Sequence, residues 1–361
     1  MSELLSDIES LCLLCGTPGF EEAVAAAFSQ RLTEAGVDVH IDNLGNVIGR
    51  IAGNGNRASV MLAAHLDEIG LVVQYIEDSG FLRFDSNGMV DPRVLPGTAV
   101  IVDTANGPRH GIVGMKPSHL VTDEDRKRPL QMADLWIDLG ADDRAQVLEW
   151  GVQIGDPIAY RPNFVAAANG YLFSKSLDNR IGLAILLDVM RRAKESTLPF
   201  DLYLVGTVQE EIGGRGARVA AEAIKPAIAI IIDTVSATDA VARPPQATAE
   251  IGKGPVLRTL DFRESNQGTV YSKKLRNFLM TIAAKQHLPY QLDVFRTWTD
   301  ASTIHVTGNG VAMQGLFVPR RYSHAPIELA HIQDVQAAAD LIWESLNALT
   351  SENLTDLAKR F

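Results

Sequence analysis

Apolar residues recur along this chain with two different periods, and the places where each period holds divide it into regions. Val24, Phe28 and Leu32 stand four apart ahead of Gly36, which predicts a helix over 21–35. Leu4, Leu5, Ile8, Leu11 and Leu14 predict an earlier helix. Strands are predicted at 37–41, 46–51 and 59–64. The last of these is almost wholly apolar, as expected for a strand covered on both faces, and its end delivers His65. From about 71 to 162 the pattern becomes short alternating stretches (71–76, 81–84, 99–103, 111–114, 135–138) between Gly, Pro, Asp and Asn turn signals, with one helical stretch at 144–150. Beyond Asn169 strand and helix alternate again. Helices are predicted at 180–193, 217–223, 271–286, 299–307 and 332–349, and strands at 202–208, 227–232, 291–295 and 312–318. The expected architecture is an α/β domain made of 1–70 plus 163–361, split by a β-rich insertion at 71–162. No self-similarity at 20–50 residues is present, which argues against solenoids and propellers.

Composition narrows the functional classes. The 361 residues are ample for two domains, and 46% apolar with 21% charged residues excludes a disordered or low-complexity chain. The 33 basic and 44 acidic side chains give a net charge of −11, a field that repels phosphate backbones and anionic lipid, so neither nucleic acid nor membrane is an expected partner. Glu3, Asp7 and Glu9 stand where a secretion signal would be basic, and the apolar runs at 181–190 and 227–232 fall short of a membrane span. A cytoplasmic location is the expectation. Cys12 and Cys15 form a Cys-x-x-Cys pair, but a zinc ribbon needs a second pair and a redox motif needs a strand-to-helix turn, so a core role is expected.

Five places set ionisable residues against an apolar strand end or a Gly/Pro turn: His65-Leu66-Asp67-Glu68, Ser176-Leu177-Asp178-Asn179-Arg180, Glu210-Glu211-Ile212-Gly213-Gly214-Arg215-Gly216, Ile232-Asp233-Thr234 and Arg321-Tyr322-Ser323-His324. In open α/β sheets ligands bind beyond the carboxyl ends of strands, and three of these motifs follow such strands. Two imidazoles and several carboxylates without thiolates suit zinc, cobalt or manganese. His65, Asp178, Glu211, Asp233 and His324 match the five ligands a dinuclear site requires. If Glu210 and Glu211 lie in extended backbone they point to opposite sides, so that one ligates while the other serves as general base. Asp67, two residues after His65, is placed to accept a proton from the imidazole nitrogen facing away from a metal.

Taken in order and spacing, these strings resemble the tetrahedral aminopeptidase family, which includes glutamyl and deblocking aminopeptidases and members labelled cellulase M or endoglucanase. The likeness extends to Asp91-Pro92-Arg93-Val94-Leu95, Lys116-Pro117-Ser118-His119-Leu120, Thr299-Asp300-Ala301 and Pro319-Arg320-Arg321-Tyr322. It implies a mixed-sheet α/β/α catalytic domain with an inserted small β-barrel or PDZ-like dimerisation domain. It also implies two divalent ions bridged by Asp178, one completed by His65 and Asp233 and the other by Glu211 and His324. Glu210 is then the catalytic base, Asp67 orients His65, and Asp178–Asn179 is a cis peptide. Substrates would be short peptides with free N-termini, and dimers would build tetrahedral dodecamers. Trp298 replaces the family's usual Gly and the segment after Asp233 departs from its usual wording, so both bear on substrate preference.

Rival readings make different demands. Glycoside hydrolysis needs two carboxyl groups facing each other about 5–9.5 Å apart, which adjacent glutamates do not supply. A dimetal deacylase would use the same ligands, and a non-catalytic metal-binding assembly would have no use for a base such as Glu210. His305 reads as structural, His119 as a loop residue or a reach into a neighbouring subunit, and Arg258 and Arg263 as partners for acidic substrates or a solvated face.

Overall fold

The computed structural model describes residues 2–54, 58–239, 249–262 and 268–359; Arg263 lies outside them. Its centre is the continuous apolar run anticipated from the sequence. Ser59–His65 is buried at every residue and pairs in parallel with Asp201–Thr207 on one side and Ile228–Ser236 on the other. Ala312–Arg321 continues the parallel set beyond Ile228–Ser236. Antiparallel strands extend the sheet, Val47–Ile51 and Asp38–Ile41 at one end, and Glu328–His331, Tyr171–Ser174 and Phe164–Ala166 at the other. Val256–Phe262, Gly268–Val270 and Gln291–Phe295 branch from Ala312–Arg321. Covered on both faces, the parallel strands have no solvated side and therefore show no alternation.

Helices form because their apolar stripes meet this sheet. Ile8 and Leu11 of Glu3–Cys12 and Val24, Phe28 and Leu32 of Glu22–Glu34 are fully buried in one cluster with Leu62 and Leu204. Cys12 lies in that core, whereas Cys15, past the helix end, is half-buried, and both are free thiols. Leu177–Lys194 is buried along most of its length against the parallel strands. Its close approach depends on Gly182, where a Cβ would stand 2.8 Å from that of Ala64. No helix among the described residues is long and apolar enough to cross a membrane.

Between His65 and the return to the main sheet the chain builds a separate closed barrel of six antiparallel strands. The order is Gly70–Ile76, Leu82–Asn87, Leu135–Asp138, Arg109–Met115, Ala99–Val102 and Pro157–Tyr160, which pairs back to the first. Leu71, Leu82, Val100, Ile137 and Ile158 fill its interior. The mixed α/β class with a small β-rich unit is the one expected. Two local differences are informative. The helix anticipated at 299–307 is only Ala301–Ile304, because Thr307 Oγ1 donates to the Ile304 carbonyl at 2.8 Å and Gly308 and Gly310 turn left-handed. The strand anticipated at 227–232 runs on to Ser236, which keeps Asp233 within the sheet, opposite Phe317.

Candidate metal centre

The parallel strands aim their ends at one place. His65 closes its strand in register with Thr207 and is 2% exposed. Its Nε2 lies 3.2 Å from Asp178 Oδ1 and 3.7 Å from Asp233 Oδ1. Asp178 begins the long buried helix, across a cis peptide bond to Asn179. Asn179 locks that start to the sheet, donating to the Ile232 carbonyl at 2.8 Å and accepting Gly182 N–H at 3.0 Å. His324 follows the Ala312–Arg321 strand with φ +59, and its Nε2 lies 3.5 Å from both Asp178 Oδ2 and Glu211 Oε1. Three sets of ligand atoms each fall within 4.8 Å of one another: His65, Asp178 and Asp233; Asp178, Glu211 and His324; and His65, Glu210 and Glu211. All seven candidate residues meet beside one cavity of about 960 Å³, six lining it and Asp67 behind them.

Glu210 and Glu211 are not in extended backbone. Gln209 is left-handed at φ +57, and Gly213 and Gly214 N–H both donate to the Glu210 carbonyl, so the pair sits in a turn and converges with His65. Asp67 faces His65 Nδ1 and also the Glu210–Glu211 turn. Its carboxylate, wholly buried, accepts Glu210 N–H through Oδ1 and Glu211 N–H through Oδ2, each at 3.0 Å. The closer contact of His65 Nδ1 is the Asp67 backbone carbonyl at 3.1 Å, with the carboxylate at 3.5 Å.

Arg258 and His305 also line this cavity but stand outside the ligand sets, and His119 is in neither group. Arg258 is fully buried, its Nε and Nη2 each 3.0 Å from Asp293, its Nη1 2.9 Å from Asp261, and its guanidinium over Phe317, so it is neither solvated nor free for substrate. His305 donates Nδ1–H to the Ala301 carbonyl at 2.9 Å and stands outside the three ligand sets. His119 is exposed on the 3-10 turn Ser118–Leu120.

Sequence reasoning missed the charges behind the ligands. Arg320 hydrogen-bonds Asp178, donates to Glu328 Oε1 at 2.7 Å and to Thr234 Oγ1 at 2.6 Å. Glu328 also accepts the backbone N–H of Asp178 and of His324, each at 3.0 Å. The available signal was an arginine directly after the apolar run Leu316–Pro319, since a buried guanidinium requires carboxylate partners. Below the His65 turn, Glu68 accepts from Lys175 at 2.7 Å and from Arg180 at 3.3 Å, all three buried. Asp300 accepts from Thr207 Oγ1 at 2.5 Å, and its second oxygen has no hydrogen-bond partner among the described residues.

The electrostatics report a deficit of positive charge. Burial pushes Glu210 well above the usual carboxylate range and Glu211 up to about 7, and it also raises Asp233. Burial opposes protonation of the imidazoles, yet Asp178, Asp233 and Asp67 hold His65 well above its ordinary value, and Glu211 and Asp178 lift His324 to about 9. Burial would raise Asp178 too, but Arg320, His324 and His65 hold it well below. Nitrogen and oxygen donors, dehydrated and arranged in triads around excess negative charge, fit divalent ions of borderline softness.

Residues 45–341 match the family model described as M42 glutamyl aminopeptidase. The chain belongs to that family. Among the relatives of this M42 peptidase is a lysyl aminopeptidase of Pyrococcus furiosus, 35% identical over 327 residues, 90% of this chain and 91% of the relative. A TET aminopeptidase from a marine-sediment Thaumarchaeota archaeon superposes with a TM-score of 0.93 at 31% identity over 98% of both chains. The Pyrococcus horikoshii TET1 peptidase, which can assemble into a tetrahedron or a large octahedral shell, gives 0.85 at 29% identity over 96% of this chain and all of that one.

Proposed function

We propose that this M42 peptidase is a dimetal aminopeptidase in which Glu210 is the general base. The observation that carries the reading is the pair of triads sharing Asp178, with Glu210 held against them by Asp67. His65 and Asp233 would hold one ion with Asp178, and Glu211 and His324 the other. Two divalent ions bound there, zinc or cobalt and alternatively manganese, would supply a nucleophilic water at neutral pH and polarise the scissile carbonyl. Glu210, dehydrated and therefore proton-hungry, takes the water's proton and returns it to the leaving amine. Asp67 holds the Glu210–Glu211 turn in place, and Arg320 and Glu328 hold Asp178 and His324. Trp298 walls the cavity against Gly214, where a Cβ would stand 2.5 Å from its ring, and so limits the side chain accepted. Residues 1–70 and 163–361 form the catalytic domain, and the barrel at 71–162 mediates self-association into dimers and, as in the TET relatives, larger shells.

The test is to load the purified protein with metal and assay aminoacyl-anilides against their N-acylated counterparts. Turnover of free-amine substrates, lost on metal removal and restored on readdition, is expected. Turnover of the acylated compounds instead would assign a deacylase.

A further inference from the structure

One ligand of the proposed centre is held by the barrel. His324 Nδ1 lies 2.8 Å from the carbonyl oxygen of Met89, in the segment that follows the barrel strand Leu82–Asn87. A carbonyl can only accept, so Nδ1 carries a proton and Nε2 is the nitrogen turned toward Asp178 and Glu211, available to a metal there. The adjacent Gly88 has φ +104, and a Cβ there would stand 3.0 Å from Ile69 Cγ2 and 3.4 Å from Glu211 Cβ. The same two barrel residues therefore meet both side chains assigned to one ion. By contrast, among the described residues His65 and Asp233 hydrogen-bond to no barrel residue. Space of about 560 Å³ opens between this segment and Ser323–His324, so packing does not hold the ring on that side.

We propose that the Gly88–Met89 segment is a positioning element through which the barrel sets the affinity of the ion assigned to Glu211 and His324. The proposal rests on the dimetal reading above. A metal-bound imidazole depends on the partner of its second nitrogen for tautomer and orientation, and here that partner is a backbone carbonyl from a separately built unit. Displacing the barrel relative to the main sheet would loosen one ion and leave the other.

The experiment is calorimetric titration of the metal-free full chain with Zn²⁺, for wild type, Gly88→Val, His324→Ala and the double variant. Wild type is expected to bind two ions. Gly88→Val, which brings a branched side chain to a left-handed position against Ile69, should weaken one binding event by about 10–100-fold and leave the other unchanged. In the His324→Ala background its further loss should be clearly smaller than in the wild-type background, because much of its effect passes through that ring. Should Gly88→Val prevent folding, as circular dichroism would reveal, an ester replacing the Met89–Val90 amide weakens the acceptor without adding bulk and should lower the same affinity severalfold. Wild-type affinity for both ions in the folded Gly88→Val or ester chain, or additive losses in the double variant, would overturn the positioning proposal. Two ions bound at full affinity by His324→Ala would instead overturn the dimetal reading.

Discussion

Asp67→Asn separates two accounts of the same residue. If Asp67 serves only to orient His65, an amide oxygen in the same place can still accept a proton from the imidazole. The structure gives the carboxylate another task, since its two oxygens accept Glu210 N–H and Glu211 N–H at 3.0 Å each. Asn has one acceptor, so its other end would present N–H to N–H. The Glu210 amide is the more deeply buried, and the favourable rotamer keeps its bond and strands the partly buried Glu211 amide. Losing one charge-assisted hydrogen bond and leaving that donor partly dehydrated should cost about 2–4 kcal/mol of stability. Because both glutamates ride on this turn, a shift approaching 1 Å should also lower kcat by about 100-fold. Denaturant unfolding and steady-state assays on the same preparation check both numbers. A variant within about 0.5 kcal/mol of wild type, with kcat unchanged, would refute the clamp.

Four further outcomes follow from the surroundings of the site. Glu68→Gln should cost about 3–5 kcal/mol in denaturant unfolding, because Lys175 and Arg180 lose their shared buried carboxylate, and adding Lys175→Met should recover part of the loss. Burial pushes the Cys12 thiol up to about 12, so mass spectrometry after iodoacetamide at pH 8 should find Cys12 unmodified in the native protein and modified in denaturant. Burial lifts the Glu21 carboxyl to about 7, so the folded state holds a proton that the unfolded state releases near 4.5; this group's contribution to stability should fall as pH rises from about 4.5 to 7, so thermal melts should find a shallower fall over that range in Glu21→Gln than in wild type. Trp298→Gly should raise kcat/KM for bulky aminoacyl-anilides about tenfold or more relative to alanyl-anilide, as the wall against Gly214 opens.

What the sequence made legible is what local pattern encodes. Ser59–His65 and Leu177–Lys194 are buried on nearly every side, so their apolar runs announced both the elements and the residues at their ends. The barrel's alternation came from strands with one face inward. The turn at Glu210–Glu211 was illegible because it depends on Gln209, a non-glycine left-handed residue whose N–H is taken by Glu21, 188 residues away in sequence. Arg320 and Glu328 were overlooked for the same reason, since their meaning lies in contacts with Asp178 from another element. Glu328–His331 and Tyr171–Ser174 are four-residue strands defined by pairing with each other, too short for periodicity to mark.

The central claim is that Glu210 moves the proton while other residues hold the metal. It is tested most directly by turnover of Glu210→Gln measured on protein whose metal content has been determined. Two ions per chain with kcat reduced by about 100- to 10,000-fold is the predicted result. Full turnover at that metal content, or loss of one ion, would contradict it.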